Sequence, residues 1–142
     1  MKKFILTDET IEMFGVTLHR IKAVRSFGNV NVGDLGGFVE KEENISENFE
    51  AWVYGDAKVW GNAEVWGDAE VWGDSDYIVF KNWWSSGRYF TLTRSNNMWS
   101  VGCFYGTGEE LIKKAYADSE KSGREYERVV KFVQSILEEE KK

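Results

Sequence analysis

Between Ala51 and Ser75 the chain repeats itself every six residues. Ala51-Trp-Val-Tyr-Gly-Asp is followed by Ala57-Lys-Val-Trp-Gly-Asn, Ala63-Glu-Val-Trp-Gly-Asp and Ala69-Glu-Val-Trp-Gly-Asp. Each unit holds a small residue, a free position, Val, an aromatic, Gly, and Asp or Asn. A fixed short period constrains a fold more tightly than local propensity does. Ala and Val stand two apart, so they share one face of a strand. The Gly-Asp or Gly-Asn pair tolerates positive φ and makes a corner. Each unit is therefore a short strand and a turn, and three units closing a triangle would give one coil. Ala51, Ala57, Ala63 and Ala69 would fill the interior with Val53, Val59, Val65 and Val71. Residues eighteen apart would stack, setting Tyr54 on Trp72, with Trp60 and Trp66 on the other two faces.

The pattern resembles the hexapeptide-repeat left-handed β-helix. The aliphatic and small positions match in all four units, while the position after the aliphatic residue is aromatic here. Four units alone make too small a core, because at least about three repeats must bury each other's faces. Worn units at Gly36-Gly-Phe-Val39 and Asn44-Ile-Ser46 extend the expected solenoid over 33–76. Residues 1–32 are then an N-terminal strand-and-cap segment, with one helical turn expected in Thr7–Met13. Residues 77–142 form a small α+β module.

Composition narrows the function. With 142 residues the chain fits one domain, or one with an appendage. No apolar run approaches the ~20 residues needed to span a bilayer. The apolar part of the first residues is too short for a signal peptide. A single cysteine, Cys103, excludes an internal disulfide and makes the cytosol the expected compartment. One histidine and one cysteine exclude the usual zinc ligand sets, so neither metal nor cofactor is expected. Residues 1–77 carry a net charge of −8 and residues 78–142 a net of +2. The acidic half repels a phosphate backbone, so no nucleic acid polymer is expected. An anionic ligand would find its host in the second half.

Within that half, Tyr77–Lys81, Arg88–Arg94 and Met98–Tyr105 alternate as strands. Phe90 and Leu92 fall on one face, with Tyr89, Thr91 and Thr93 on the other. Trp99, Val101, Cys103 and Tyr105 are expected to share a face. Thr107-Gly-Glu-Glu110 and Ser122-Gly-Arg-Glu125 read as capping boxes opening two helices. Glu138-Glu-Glu-Lys-Lys142 reads as a solvated tail.

A wider resemblance covers nearly the whole chain. Leu18-His-Arg-Ile-Lys-Ala, Gly33-Asp-Leu-Gly-Gly-Phe-Val-Glu-Lys-Glu-Glu-Asn, the repeats, and Gly102-Cys-Phe-Tyr-Gly-Thr-Gly-Glu-Glu-Leu together resemble small hexapeptide-repeat proteins of bacteriophages and prophages. The solenoids of hexapeptide proteins usually trimerise, which with the aromatic belt implies a homotrimer.

The residues suited to a ligand are Trp83, Trp84, Ser86, Arg88, Tyr89 and Arg94. Aromatic rings stack a base and guanidinium groups pair with phosphate. The plainer explanation is that the tryptophans cover the end of the solenoid while the arginines pair with its acidic residues. His19 is best explained as a surface or cap histidine and Cys103 as a small buried residue. The expectation is a non-enzymatic, phage-derived binding protein acting as an inhibitor of bacterial antiviral defence. It would sequester an anionic nucleotide or mask a host defence protein. The alternatives are a degenerate hexapeptide acyltransferase using His19 as base and a structural phage assembly protein.

Overall fold

A computed structural model of the chain describes residues 2–140. The strands are β1 (Phe4–Met13), β2 (Val16–Ala23), β3 (Leu35–Val39), β4 (Trp52–Val53), β5 (Lys58–Val59), β6 (Glu70–Val71), β7 (Tyr77–Lys81), β8 (Tyr89–Thr93), β9 (Met98–Val101) and β10 (Phe104–Gly106). The helices α1 (Gly108–Asp118) and α2 (Glu120–Glu140) follow. Lys141 and Lys142, the end of the expected tail, lie outside the described residues.

This architecture corrects the expected left-handed β-helix. The chain forms mixed sheets, mostly antiparallel, with two helices. One four-stranded sheet runs β1-β2-β3-β5, a second β10-β9-β8-β7, and β4 pairs with β6. Among the described residues, parallel pairing is confined to Phe38-Val39 on Lys58-Val59, Trp52-Val53 on Glu70-Val71, and the single bridge Ile45 to Val65. The physical reason is length. Each repeat supplies at most two residues of strand, whereas β1 and β2 run for ten and eight residues and pair antiparallel. The helical turn expected in Thr7–Met13 is absorbed into that hairpin, which closes through Phe14 and Gly15, both at positive φ. Pairing partners override a weak local preference.

The interior positions of the repeats are buried all the same. All four alanines and all four valines are at most 4% exposed. Tyr54 and Trp72 stack at 4.1 Å with planes 7° apart. Trp60 stacks on Phe14 at 6.0 Å, and Trp66 lies beside Tyr105. Two of the belt aromatics are therefore covered by other parts of the same chain.

Above the first unit, Trp52 is 1% exposed, held edge-on by Phe4 and Phe27 at 6.0 and 5.2 Å. Lys3 is fully buried beside them. Its Nζ donates to the Ala51 carbonyl at 2.6 Å and lies 4.8 Å from the Phe27 ring centre. Burial, and then Arg25, push the Lys3 pKa down to about 8, against the pull of Glu47. Between pH 8 and the ordinary value of 10.5 the unfolded chain holds a proton that the folded chain has lost. Stability contributed at this site should therefore rise across that window, by at most about 3 kcal/mol. Thermal unfolding of the wild type against Lys3→Met from pH 7 to 10.5 measures it. The difference between them should change with pH through Lys3 alone, since Tyr54 and Tyr105, which burial also holds above the ordinary range, are shared by both variants and cancel.

The second sheet has two unlike faces. Phe90, Leu92, Trp99 and Val101 pack with Leu111, Ala115, Tyr126, Val129, Val130 and Val133 of the helices. The opposite face carries buried Thr91, Thr93 and Ser100 and meets the repeats. There the Tyr77 hydroxyl donates to the Lys58 carbonyl (2.9 Å). Thr91 Oγ1 accepts from the Glu64 amide (3.1 Å), and Ser95 Oγ from the Glu70 amide (2.8 Å). Backbone groups left over by the short parallel pairs are satisfied in this way, as buried polar groups must be.

Tyr105 joins this polar face, contrary to expectation. The turn at Gly102-Cys103 ends β9 at Val101, so Tyr105 pairs opposite Ser100. Gly102 has φ +56°, which the first position of such a two-residue turn favours in glycine. The same turn leaves Cys103 exposed rather than buried. Thr107 caps α1 as expected, accepting from the Glu110 amide while Glu110 accepts from the Thr107 amide. Helix α2 starts earlier than Ser122, with Ser119 Oγ accepting from the Ser122 amide. Among the described residues no helix is long and apolar enough to cross a membrane.

Candidate functional site

The loop between β7 and β8 is built on Asn82. This side chain is 3% exposed. Its Oδ1 accepts from the amides of Trp84 and Ser85, at 3.1 and 2.9 Å. Its Nδ2 donates to Ser85 Oγ and to the Tyr126 hydroxyl. One asparagine thus folds the loop over itself and pins it to α2. Trp84 is turned inward as a result. Its ring meets Tyr126 edge-on at 4.8 Å and Phe90 at 6.3 Å. Its indole N–H donates to Ser122 Oγ at 3.4 Å.

Between this loop and the junction of the two helices lies a cleft of about 310 Å³. Trp84, Ser86 and Arg88 form one wall; Lys114, Asp118, Ser119, Lys121 and Ser122 form the other, with Tyr126 at the base. Three cations thus face one carboxylate, and Asp118 is paired with Lys114 at 3.3 Å. Arg88 makes no ion pair among the described residues, and its guanidinium rests against Gly102, where a Cβ would lie 2.3 Å from Nη1. Serine hydroxyls and the amide end of α2 add donors on the same side.

Of the six residues singled out in the sequence, the cleft gathers Trp84, Ser86 and Arg88. Trp83 is 67% exposed and touches Trp84 edge-on at 4.8 Å, outside the lining. Tyr89 points into a neighbouring shallow depression with Lys41, Glu64 and Arg88. Burial holds the Glu64 carboxyl above its ordinary range there, opposed by Arg88 and then Lys41. Arg94 is at the far end of β8, donating to the Ser75 carbonyl at 3.1 Å and paired with Glu140. Neither tryptophan of the loop covers the repeats, which meet the polar face of the second sheet instead.

Lys114, Lys121, Ser119 and Ser122 were not anticipated. The available signal was Ser119-Glu-Lys-Ser122, which can cap a helix at Ser119 as well as at Ser122. Placing the cap at Ser119 brings Lys121 into the first turn of α2, beside the cleft. His19 sits on β2 with Nδ1 3.1 Å from the Thr7 carbonyl and does not line the cleft. Among the described residues no group of three or more His, Cys, Asp or Glu side chains is placed to hold a metal ion. Scanned against known protein families the chain matches none, and no curated protein matches it.

Proposed function

We propose that the chain is a non-enzymatic binding protein that holds a small anionic ligand with a planar ring system, of the nucleotide class, in the cleft between the 82–88 loop and the α1–α2 junction. The observation that carries this is that Arg88, from the wall that holds Trp84, and Lys114 and Lys121, from the wall opposite, line one cleft with Tyr126 at its base. Guanidinium and ammonium groups answer a phosphate, and the rings answer a base. A volume of about 310 Å³ is at the small end of ligand sites, which suits a single nucleotide and not a polymer. The resemblance to phage proteins extends the proposal to sequestration of a signalling nucleotide of bacterial antiviral defence.

Titration calorimetry of the full chain against mononucleotides, cyclic dinucleotides and inorganic phosphate tests it. A nucleotide should bind more tightly than phosphate alone. Arg88→Ala and Lys121→Ala, both at exposed positions, should each weaken binding about tenfold by removing a charge-assisted contact. Binding that is unchanged in both variants, or absent across the panel, overturns the assignment.

A further inference from the structure

Three parts of the chain meet at the Gly67 corner and leave a groove that shares no lining residue with the cleft. The turn after β2 brings Phe27, the approach to the first repeat brings Phe49, and the second sheet brings Met98 and Tyr105. The volume is about 860 Å³, near the upper end of ligand sites and room for several side chains. Hydrogen bonds fix its edges. Asn96 Nδ2 donates to Asp68 Oδ1 at 2.9 Å and to the Tyr105 hydroxyl at 3.0 Å. The Glu50 amide donates to the Gly67 carbonyl at 3.1 Å. The Glu50 side chain lies across Gly28, where a Cβ would come within 3.3 Å of the carboxyl carbon.

Phe49 stands out beside this groove. It is 75% exposed and packs into neither apolar core. Its backbone has φ +62°, a conformation that a bulky residue rarely adopts. The loop thus holds an apolar ring in water on a strained backbone, a pairing that marks contact surfaces.

The groove continues into an acidic recess. Glu50 and Asp68 line both, and Tyr54 and Glu70 belong to the recess. No basic residue lines the recess. Among the described residues none of its three carboxylates makes an ion pair. Asp68 accepts from the Asn96 amide group and Glu70 from the Trp72 indole at 3.1 Å, both neutral donors. Burial, then Glu70 and Glu50, hold the Tyr54 hydroxyl above its ordinary range, so both carboxylates face that ring. The groove itself adds one cation, Arg25, whose guanidinium donates to the Glu47 carbonyl at 2.6 Å. Arg25 against Glu50, Asp68 and Glu70 leaves groove and recess with a net charge of −2.

We propose that groove and recess together dock a segment of a partner protein that carries an apolar side chain with lysine or arginine beside it. The apolar side chain enters among Phe27, Phe49, Met98 and Tyr105 and takes the Phe49 ring out of water. The ammonium or guanidinium group enters the recess and supplies the charge that Glu50, Asp68 and Glu70 lack, with several N–H donors to share among them. A bare metal ion is a poor occupant, since among the described residues no three carboxylates are placed to hold one. A nucleic acid backbone or an anionic membrane would be repelled by the same charge.

Selection of a random peptide library on the full chain, followed by anisotropy titration of a selected peptide, tests the site. The selected peptides should share an apolar residue close to Lys or Arg. Phe49→Ser, at an exposed position outside both cores, should weaken binding about tenfold. Asp68→Asn combined with Glu70→Gln keeps acceptors for Asn96 and Trp72 while removing two charges. It should weaken binding about tenfold and flatten its dependence on salt. The same peptide with Glu in place of each Lys and Arg should not bind. A selection with no consensus, or with an acidic or uncharged one, overturns the site. So does a peptide indifferent to Phe49→Ser or to the charge variant. Spermidine binding as tightly as the peptide would assign the recess to a small polycation and overturn it as well.

Discussion

Gly37→Ala should lower stability by about 4 kcal/mol, or about 12 °C in Tm for a chain of this size. A Cβ at Gly37 would lie 2.4 Å from the Ala57 carbonyl oxygen and 2.7 Å from a Val53 methyl. The first is backbone, so no rotamer change relieves it. The same carbonyl accepts from the Phe38 amide at 2.9 Å. Pushing it away therefore breaks a ladder bond of β3 as well as opening the packed interior. Gly36 is in the same position, with Val53 O at 2.6 Å. Neither has a positive φ, so the requirement is for space alone. Alanine at Gly55, whose Cβ would meet nothing within 4 Å, is the control for backbone strain without a clash. Chemical denaturation of the three proteins separates the two effects, and a Gly37→Ala curve lying on the wild-type curve would refute the account.

Trp52→Ala should be nearly as damaging, at about 4 kcal/mol. Trp52 occupies the free position of the first repeat, the place held by Lys58, Glu64 and Glu70 in the other three. Those side chains are at least partly exposed, but Trp52 is 1% exposed between Phe4 and Phe27. Removing the indole leaves a cavity bounded by two rings and by the stem of buried Lys3. That lysine is then left beside a void, so the loss includes the holding of its ammonium group as well as apolar contact. Trp52→Phe should recover more than half of the loss, because it restores a ring to meet Phe4 and Phe27. Equal loss in both variants would mean that the site does not depend on ring packing.

The sequence was most legible where a signal is local. The Thr107–Glu110 capping box opens α1, and alternation in Arg88–Arg94 sorts Phe90 and Leu92 from Thr91 and Thr93. The interior positions of the repeats were legible for the same reason. The architecture was not. A period says which residues face inward, but not how many backbone bonds the units make. Here the longer N-terminal strands, 10 and 8 residues, outweigh two-residue pairs. Half of the cleft was hidden because Ser122, with Glu125 three residues on, carries the fuller capping signal, whereas the helix opens at Ser119 and takes Lys121 into its first turn. Arg94 looked like a ligand residue because it lies six residues from Arg88 in sequence. Along a strand that is ~20 Å, which removes it from any shared site.

The contacts between the second sheet and the repeats have one more consequence. Ala63–Asp68 and Ala69–Asp74 are the same six residues twice over. A chain that slips by one unit keeps Ala and Val inside and gives up nothing in its interior. The frame is kept from outside, by anchors that fall at the second residue of successive units. Tyr77 holds Lys58, Thr91 holds Glu64 and Ser95 holds Glu70. The short turn Asp74–Asp76 ties the last unit directly to β7 and leaves no slack for a shift. A descendant that gained or lost one hexad by duplication would still pack its alanines and valines, yet its teeth would no longer meet the sheet that counts them.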